Sequence, residues 1–487
     1  MIGTLIRPNA DRESTVLFAE RVMRQTLLLL LTTGSIPAIS LAIGPNRDVA
    51  SLPARPSPEW VTRGVMYQIQ PRAFTPEGTL KAATARLPKV AEMGVDIIYM
   101  CPVFVSDDDP DLKGWSPRQK KSGMNNPRNP YRMKDYYHVD PEYGTDDDLK
   151  ELIATAHNLG MRVLLDMVYL HCGPNAVFLK EHPNFVQRDD KGNIVCASWN
   201  FPKINMANPE LREYLWRNME YWVKAFGADG FRCDVSDAIP LDFWETARER
   251  LEKIRPDVCM LAEGTRREDQ LKAFDLDYGW GFQWDNAAKF RAQWEKMRDE
   301  RPRGGARFIR FIDNHDIAND DYNNRVEKAW GSRRVHAALV TLFTLDGVPM
   351  IYNGQEVADK ARHSIFGRSP IDWANGDTPA GKARYAFCKK LCALRHAERA
   401  LTHGEVVWLD NDHPDSVLSF LRRAGDEEIL SVVNLSSNRR EVRVQLPEWA
   451  QQSLDALLAN EVEVASRGDL AFDLGGCGYW VGKRRPQ

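Results

Sequence analysis

From residue 65 onward, short apolar runs alternate with longer segments whose apolar residues recur every three or four positions. The first pattern is that of buried strands, the second that of amphipathic helices. The strand-like runs are "VMYQIQ" (65–70), "VDIIYMCPV" (95–103), "MRVLLDMV" (161–168), "DGFRCDV" (229–235), "VCMLAE" (258–263), "FDLDY" (274–278), "RFIRFID" (307–313) and "PMIYNG" (349–354). Helices are expected at 84–94, 146–160, 208–227, 241–255, 267–273, 286–298, 326–344 and 379–397. Eight strand–helix rounds predict a parallel α/β barrel, the (β/α)8 or TIM barrel, over residues 60–400. Two connections are long, 103–135 and 171–207, and are expected as enlarged loops. After residue 403 the helical period disappears. "SVLSFLRR", "EILSVVNLS", "EVRVQLP" and "YWVGK" alternate with a period of two, which predicts a C-terminal antiparallel β-sandwich domain over 401–487.

The segment before the barrel reads differently. "MRQTLLLLLTTGSIPAISLAIG" (23–44) has a basic start, an apolar run and small residues ending at Ala42, as in a secretory signal peptide. Either translation starts at Met23 or the segment is an uncleaved anchor, and the first reading is preferred. Residues 1–44 are then a leader, 45–59 a linker, and the mature protein is expected to be secreted or periplasmic, with no membrane contact after cleavage. A net charge of -3 offers no basic surface for nucleic acid. Of the eight cysteines, Cys172 and Cys196 flank one polar loop and are candidates to pair; Cys388 and Cys392 lack the partners of a zinc site, and no metal site is read from the set.

Chemistry enters at the carboxyl ends of the strands, where barrels carry their catalytic groups. Asp166 ends the third strand, with His171 beyond it. Arg232 and Asp234 end the fourth, Glu263 the fifth, and Asp313, His315 and Asp316 the seventh. Side chains alternate along a strand, so Arg232 and Asp234 face the barrel axis while Phe231, Cys233 and Val235 face the helices. Asp234, Glu263 and Asp316 should therefore meet beside an arginine. A carboxylate nucleophile and a carboxylic acid about 5–5.5 Å apart are the machinery of a retaining glycosidase. The arginine is expected to keep the nucleophile ionised, and a neighbouring carboxylate to raise the pKa of the acid. The structural alternative is a salt-bridge network closing the barrel mouth.

Four segments, in order, carry a resemblance to the α-amylase family of glycoside hydrolases (clan H, family 13): "DMVYLH" (166–171), "GFRCD" (230–234), "MLAEG" (260–264) and "FIDNHD" (311–316). The stretches 129–145, 201–215 and 347–356 are similar to further segments of that family, and the resemblance covers about residues 60–487. It implies Asp234 as nucleophile, Glu263 as general acid/base and Asp316 as transition-state stabiliser. It further implies that Arg232 orients Asp234, that His171 and His315 bind hydroxyls of the sugar next to the scissile bond, that Asp166 braces that site, and that Tyr131 stacks on the ring. The implied substrate is an α-glucan or α-gluco-oligosaccharide.

The chain departs from the family at several positions. Leu170 stands where many amylases have a calcium-binding asparagine, and calcium prefers oxygen ligands; no cofactor is expected. The run "SDDDPD" (106–111) offers either a cation-binding loop or, as the preferred reading, a solvated one. Asp237 and Ala238 replace the Lys and His that many α-amylases carry after the nucleophile, which weakens a starch-endohydrolase reading. Trp115 and "RQKK" (118–121) are read as either shaping outer subsites or lying on the surface. Two other readings remain: a transglycosylase or isomerase of the same family, such as a glucanotransferase or trehalose synthase, and a non-catalytic amylase-like protein. All three carboxylates are present, which argues against the last.

Overall fold

The computed structural model describes residues 48–484 apart from 198, 321–324, 446–453 and 468. The leader read at 1–44 lies outside the described residues. Among them, no helix is long and apolar enough to cross a membrane.

Eight parallel strands close into a barrel: β1 (Met66–Ile69), β2 (Ile97–Met100), β5 (Arg162–Met167), β6 (Gly230–Cys233), β7 (Cys259–Ala262), β8 (Leu276–Tyr278), β9 (Arg307–Arg310) and β10 (Val348–Tyr352). Their order is sequential, and β10 pairs with β1 to close the ring. Between β2 and β5 a small antiparallel pair intervenes, β3 (Phe104–Ser106) with β4 (Met133–Val139). The loop expected at 103–135 thus begins and ends in paired strand, a feature hidden in a sequence dense in charge and proline.

Side-chain alternation sorts the barrel residues into two cores. Met66, Tyr99, Leu164, Leu261, Tyr278 and Ile309 pack inside the barrel. Phe231, Cys233, Met260 and Ala262 pack outward, among the helices. Arg232, between Phe231 and Cys233, therefore points inward and is fully buried. Gly230 is required by close approach: a Cβ there would sit 2.0 Å from the Cys259 carbonyl oxygen on the neighbouring strand.

Most helices fall within a few residues of expectation. Leu80–Met93 ends at Gly94 in the left-handed conformation, Asp146–Asn158 opens with a Thr145–Asp148 capping box, and Pro379–Ala397 matches its expected bounds. The helix expected at 326–344 is two helices, Val326–Trp330 and Ser332–Thr344. Gly331, at φ 76°, breaks it.

The C-terminal strands β11 (Glu405–Trp408), β12 (Val417–Ala424), β13 (Glu427–Asn434), β14 (Arg440–Arg443), β15 (Leu454–Arg467) and β16 (Asp469–Arg484) form one six-stranded antiparallel sheet. β11 and β15 escaped the sequence reading because their alternation is diluted by charge. Leu418 and Phe420 face the barrel's outer core, whereas Val417 and Leu421 face a separate core within this domain. The buried Arg422 ties the two parts together by donating to the carbonyls of Thr344, Leu345 and Gly404.

The eight cysteines are free thiols. Cys172 is buried and Cys196 exposed, so the candidate pair is not a disulfide. Both lie beside Pro202, through a Cys172 N–H bond to its carbonyl and a Cys196 bridge. The fourfold spacing of Cys388 and Cys392 is explained by packing, as both are buried on the inner face of their helix.

Candidate active site

"DGFRCDVSD" (229–237) contains three aspartates with three different positions. Asp229 lies before β6, at the amino end of the strands, and binds Arg162, Arg255 and His157. A charge there serves the fold. Asp234 lies at the opposite end. Asp237 follows in a short turn.

Arg232 is the centre of the site. Its Nη1 donates to Asp166 Oδ1 at 2.7 Å and to Asp234 Oδ1 at 2.8 Å, and its Nη2 lies 2.7 Å from Glu263 Oε2. Strands β5, β6 and β7 are adjacent in the barrel, which is why their terminal side chains reach one guanidinium. Two carboxyl groups held on that guanidinium suit the about 5–5.5 Å spacing of a retaining pair better than the about 6.5–9.5 Å of an inverting one.

One positive charge cannot neutralise three carboxylates, two of them buried and Glu263 mostly so, and desolvation of an uncompensated charge is costly. Burial raises Asp234 to about 7 although Arg232 opposes it. Burial likewise raises Asp166 to about 6 against Arg232. Glu263 is raised furthest, to about 8, by burial first, with Asp234 and Asp316 adding to it. The expectation that Arg232 by itself keeps the nucleophile ionised is thereby revised: the cation is shared, and burial outweighs it. The acid owes its raised pKa to burial before it owes it to a neighbouring carboxylate. A single proton on this cluster resides on Glu263.

Glu263 is held from its own backbone neighbourhood. Val235, in the left-handed region at φ 43°, donates its N–H to Glu263 Oε2 at 2.9 Å, and Ser236 N–H bonds the Glu263 carbonyl. A β-branched residue in that region is strained. Asp237 accepts from the N–H groups of Thr265 and Arg266, at 2.7 and 3.2 Å, and so fixes the turn that follows Glu263.

Asp316, beyond β9, joins from the far side of the mouth. Burial would raise it, but His315, Arg118 and Arg232 outweigh burial and hold its carboxyl well below the usual range. His315 is buried and pushed down to about 4 by burial, hence neutral. Gln68 Nε2 donates to His315 Nδ1 at 2.8 Å, which leaves the proton on Nε2 to face the Tyr131 hydroxyl at 2.6 Å. Tyr131 in turn donates to Asp166 Oδ2 at 3.0 Å, and Tyr99 does so at 3.1 Å. Tyr131 is therefore stacked on His315 (centroids 5.6 Å, 12°) and tied to Asp166 in this structure. His171 gives its Nε2 proton to the Tyr131 carbonyl at 2.8 Å, and its Nδ1 has no hydrogen-bond partner among the described residues. Asp313 turns away, pairing with Arg325 at 3.1 Å.

Three residues of this constellation were not singled out as site residues from the sequence: Gln68, Tyr99 and Arg118. Gln68 offered a signal, a glutamine inside a buried strand, and Arg118 another, its place in the basic run 118–121; Tyr99 had none. The run 106–111 is solvated only in part, its first two residues being buried. Asp107 is fully buried and binds Asn175, and Asp108 pairs with Lys134. Buried Arg132 donates to the carbonyls of Asp107, Asp109, Gly114 and Pro127. A guanidinium fills the centre of that turn, so its carbonyls do not fit a calcium ion. Trp115 is buried, with its indole N–H on the Asp109 carbonyl, and is neither a subsite wall nor surface.

With this geometry in hand, comparison with known proteins is direct. The family model for the α-amylase catalytic domain matches residues 58–192, and that for the C-terminal domain of maltogenic amylase matches residues 407–481. Both matches bear out the recognition of the α-amylase family of glycoside hydrolases. The chain is 27% identical to a cyclomaltodextrinase of a Bacillus species, over 77% of this chain and 73% of that protein. It is 26% identical to neopullulanase 2 of Thermoactinomyces vulgaris, over 86% and 77%. A solved maltogenic α-amylase of Thermotoga neapolitana superposes with a TM-score of 0.73 at 25% identity, covering 88% of this chain and all of that one. These findings support a glycosidase whose reaction is hydrolysis of glycosidic bonds.

Proposed function

We propose that the protein hydrolyses short α-gluco-oligosaccharides with retention of configuration. Asp234 attacks the anomeric carbon through Oδ2, the oxygen Arg232 does not hold. The glycosidic C–O bond breaks as Glu263 passes its proton to the leaving oxygen, and a glycosyl ester on Asp234 results. Water then attacks the same carbon, Glu263 takes its proton, and the ester bond to Asp234 breaks. Asp316, ionised throughout, offsets the positive charge that develops on the ring and binds its hydroxyls. His171 Nδ1 is placed to accept a hydroxyl, and Asp166 and Tyr131 hold the floor of the pocket. The carrying observation is one guanidinium in contact with both Asp234 and Glu263. The preference for short substrates is supported by Asp237 and Ala238, which stand where many α-amylases carry Lys and His, and by the engagement of Asp237 with the backbone of Thr265 and Arg266.

The test is product analysis with maltose, maltotriose, a cyclic α-1,4 glucan, pullulan and soluble starch, using Asp234→Asn as control. Free shorter sugars that vanish with the variant, at least about 1,000-fold slower, are the expected outcome. Longer or rearranged sugars with little hydrolysis would move the assignment to transfer or isomerisation. No turnover of any α-glucoside would sink it. We further propose export with cleavage after Ala42, checked by amino-terminal sequencing of the protein recovered outside the cytoplasm; an intact amino terminus in the cytoplasm would overturn it.

A further inference from the structure

Glu263 protonates the leaving oxygen, so the leaving sugar departs on the side of β7. The sugar that becomes bound to Asp234 must then extend the other way, toward Asp316 and the ends of β9, β10, β1 and β2. These four strands are consecutive around the ring. The loops that follow them are locked together. Arg118, on the short helix Pro117–Lys121 beyond β2, crosses the mouth and places Nη1 3.0 Å from Asp316 Oδ1 and Nη2 3.3 Å from the Asp316 carbonyl. Arg362, beyond β10, donates to the Ser122 carbonyl at 2.6 Å. Arg72, just beyond β1, donates to the carbonyls of Arg128 and Ile365. Asn319, four residues beyond His315, accepts from Ile365 N–H at 3.1 Å.

We infer that Arg118 closes the donor side of the site after one sugar, so that the enzyme removes single glucosyl units from non-reducing ends. This rests on the retaining α-glucosidic reading above. Asp316 binds hydroxyls of the first donor sugar, and the guanidinium already on that carboxylate occupies the direction in which a second would continue. The wall behind it is not a single flexible side chain but backbone held by Arg72 and Arg362. A cyclic glucan, which has no end and must leave the site on both sides, is excluded for the same reason. Arg118 is a specificity-determining residue here, and its contact with Asp316 links chain-length choice to the group that stabilises the transition state.

The experiment uses maltopentaose labelled at its reducing end, a cyclic α-1,4 glucan, and the p-nitrophenyl α-glycosides of glucose and maltose. The wild-type enzyme is expected to shorten the labelled chain one glucose at a time, to leave the ring uncut, and to release nitrophenol from the glucoside at least tenfold faster, as kcat/KM, than from the maltoside. Arg118→Ala should raise the maltoside-to-glucoside ratio about tenfold, and Arg118→Lys should keep most of the wild-type ratio. A general loss of structure lowers both substrates together and does not move the ratio. Release of maltose or maltotriose in the first turnovers, or opening of the ring, would overturn the wall while leaving the hydrolase reading intact. Failure to cleave any α-glucoside would remove both.

Discussion

At the residue scale the site is a distribution of protons among buried acids. Glu263 near 8 and Asp234 near 7 are the highest, and Asp316 the lowest. Activity needs Glu263 protonated and Asp234 ionised, so kcat/KM should follow a narrow bell. Its acid limb reflects the group near 7 and its alkaline limb the group near 8, measured on the free enzyme with a small glucoside. The same values make a stability prediction. Glu263 has its pKa raised above the ordinary 4.5, so the folded state keeps a proton that the unfolded state releases. Its favourable contribution is complete below 4.5 and is lost as pH rises toward 8. Glu263→Gln, which cannot ionise, should be inactive yet more stable than wild type above that window, by on the order of 1–3 kcal/mol in denaturant titrations. Equal stability of the two at all pH values would show that Glu263 is not desolvated as described.

At the element scale, turns and loops hold what the strands deliver. Asp237 ties the turn after Glu263, and its loss lets the acid drift. Asp237→Ala should lower kcat by roughly 10- to 100-fold with little change in KM, because misplacing a proton donor by about 1 Å costs about that much. An unchanged kcat would assign Asp237 to stability alone. Arg132 organises the turn 107–127 by filling four carbonyls, and it stands next to Tyr131. Arg132→Met leaves those groups unsatisfied. Amide exchange should rise across 107–133 and kcat/KM should fall, while exchange in the barrel strands stays slow. Gly331 gives the complementary lesson. The apolar pattern of 326–344 is helical throughout, and a single left-handed glycine still divides it.

At the scale of the whole molecule, the barrel and the C-terminal sheet share one outer core, with Arg422 buried at the joint. Arg422→Met removes three hydrogen bonds to backbone carbonyls at that joint. It should cost about 2–4 kcal/mol and lower the thermal midpoint without changing the chain-length preference. A variant with altered preference and unchanged stability would contradict this division of labour. The same scale explains why the acidic run 106–111 misled. Charge in sequence reads as solvent exposure, but Arg132 and Asn175 come from other segments and offset the burial of Asp107, while Lys134 pairs with the half-exposed Asp108.

The sequence by itself determined the barrel, the antiparallel C-terminal domain and the strand ends that carry Asp166, Arg232, Asp234, Glu263 and Asp316. Those features follow from periods of two and 3.6 and from the cost of placing charge in a buried strand, and both are local properties. Only the tertiary structure decided how one guanidinium is shared among three carboxylates, which acid holds the proton, and that Gln68 sets the tautomer of His315. It also decided that Arg118 reaches Asp316, 198 positions away. These depend on distance, burial and hydrogen-bond direction between segments far apart in the chain, and ring closure alone brings those segments together.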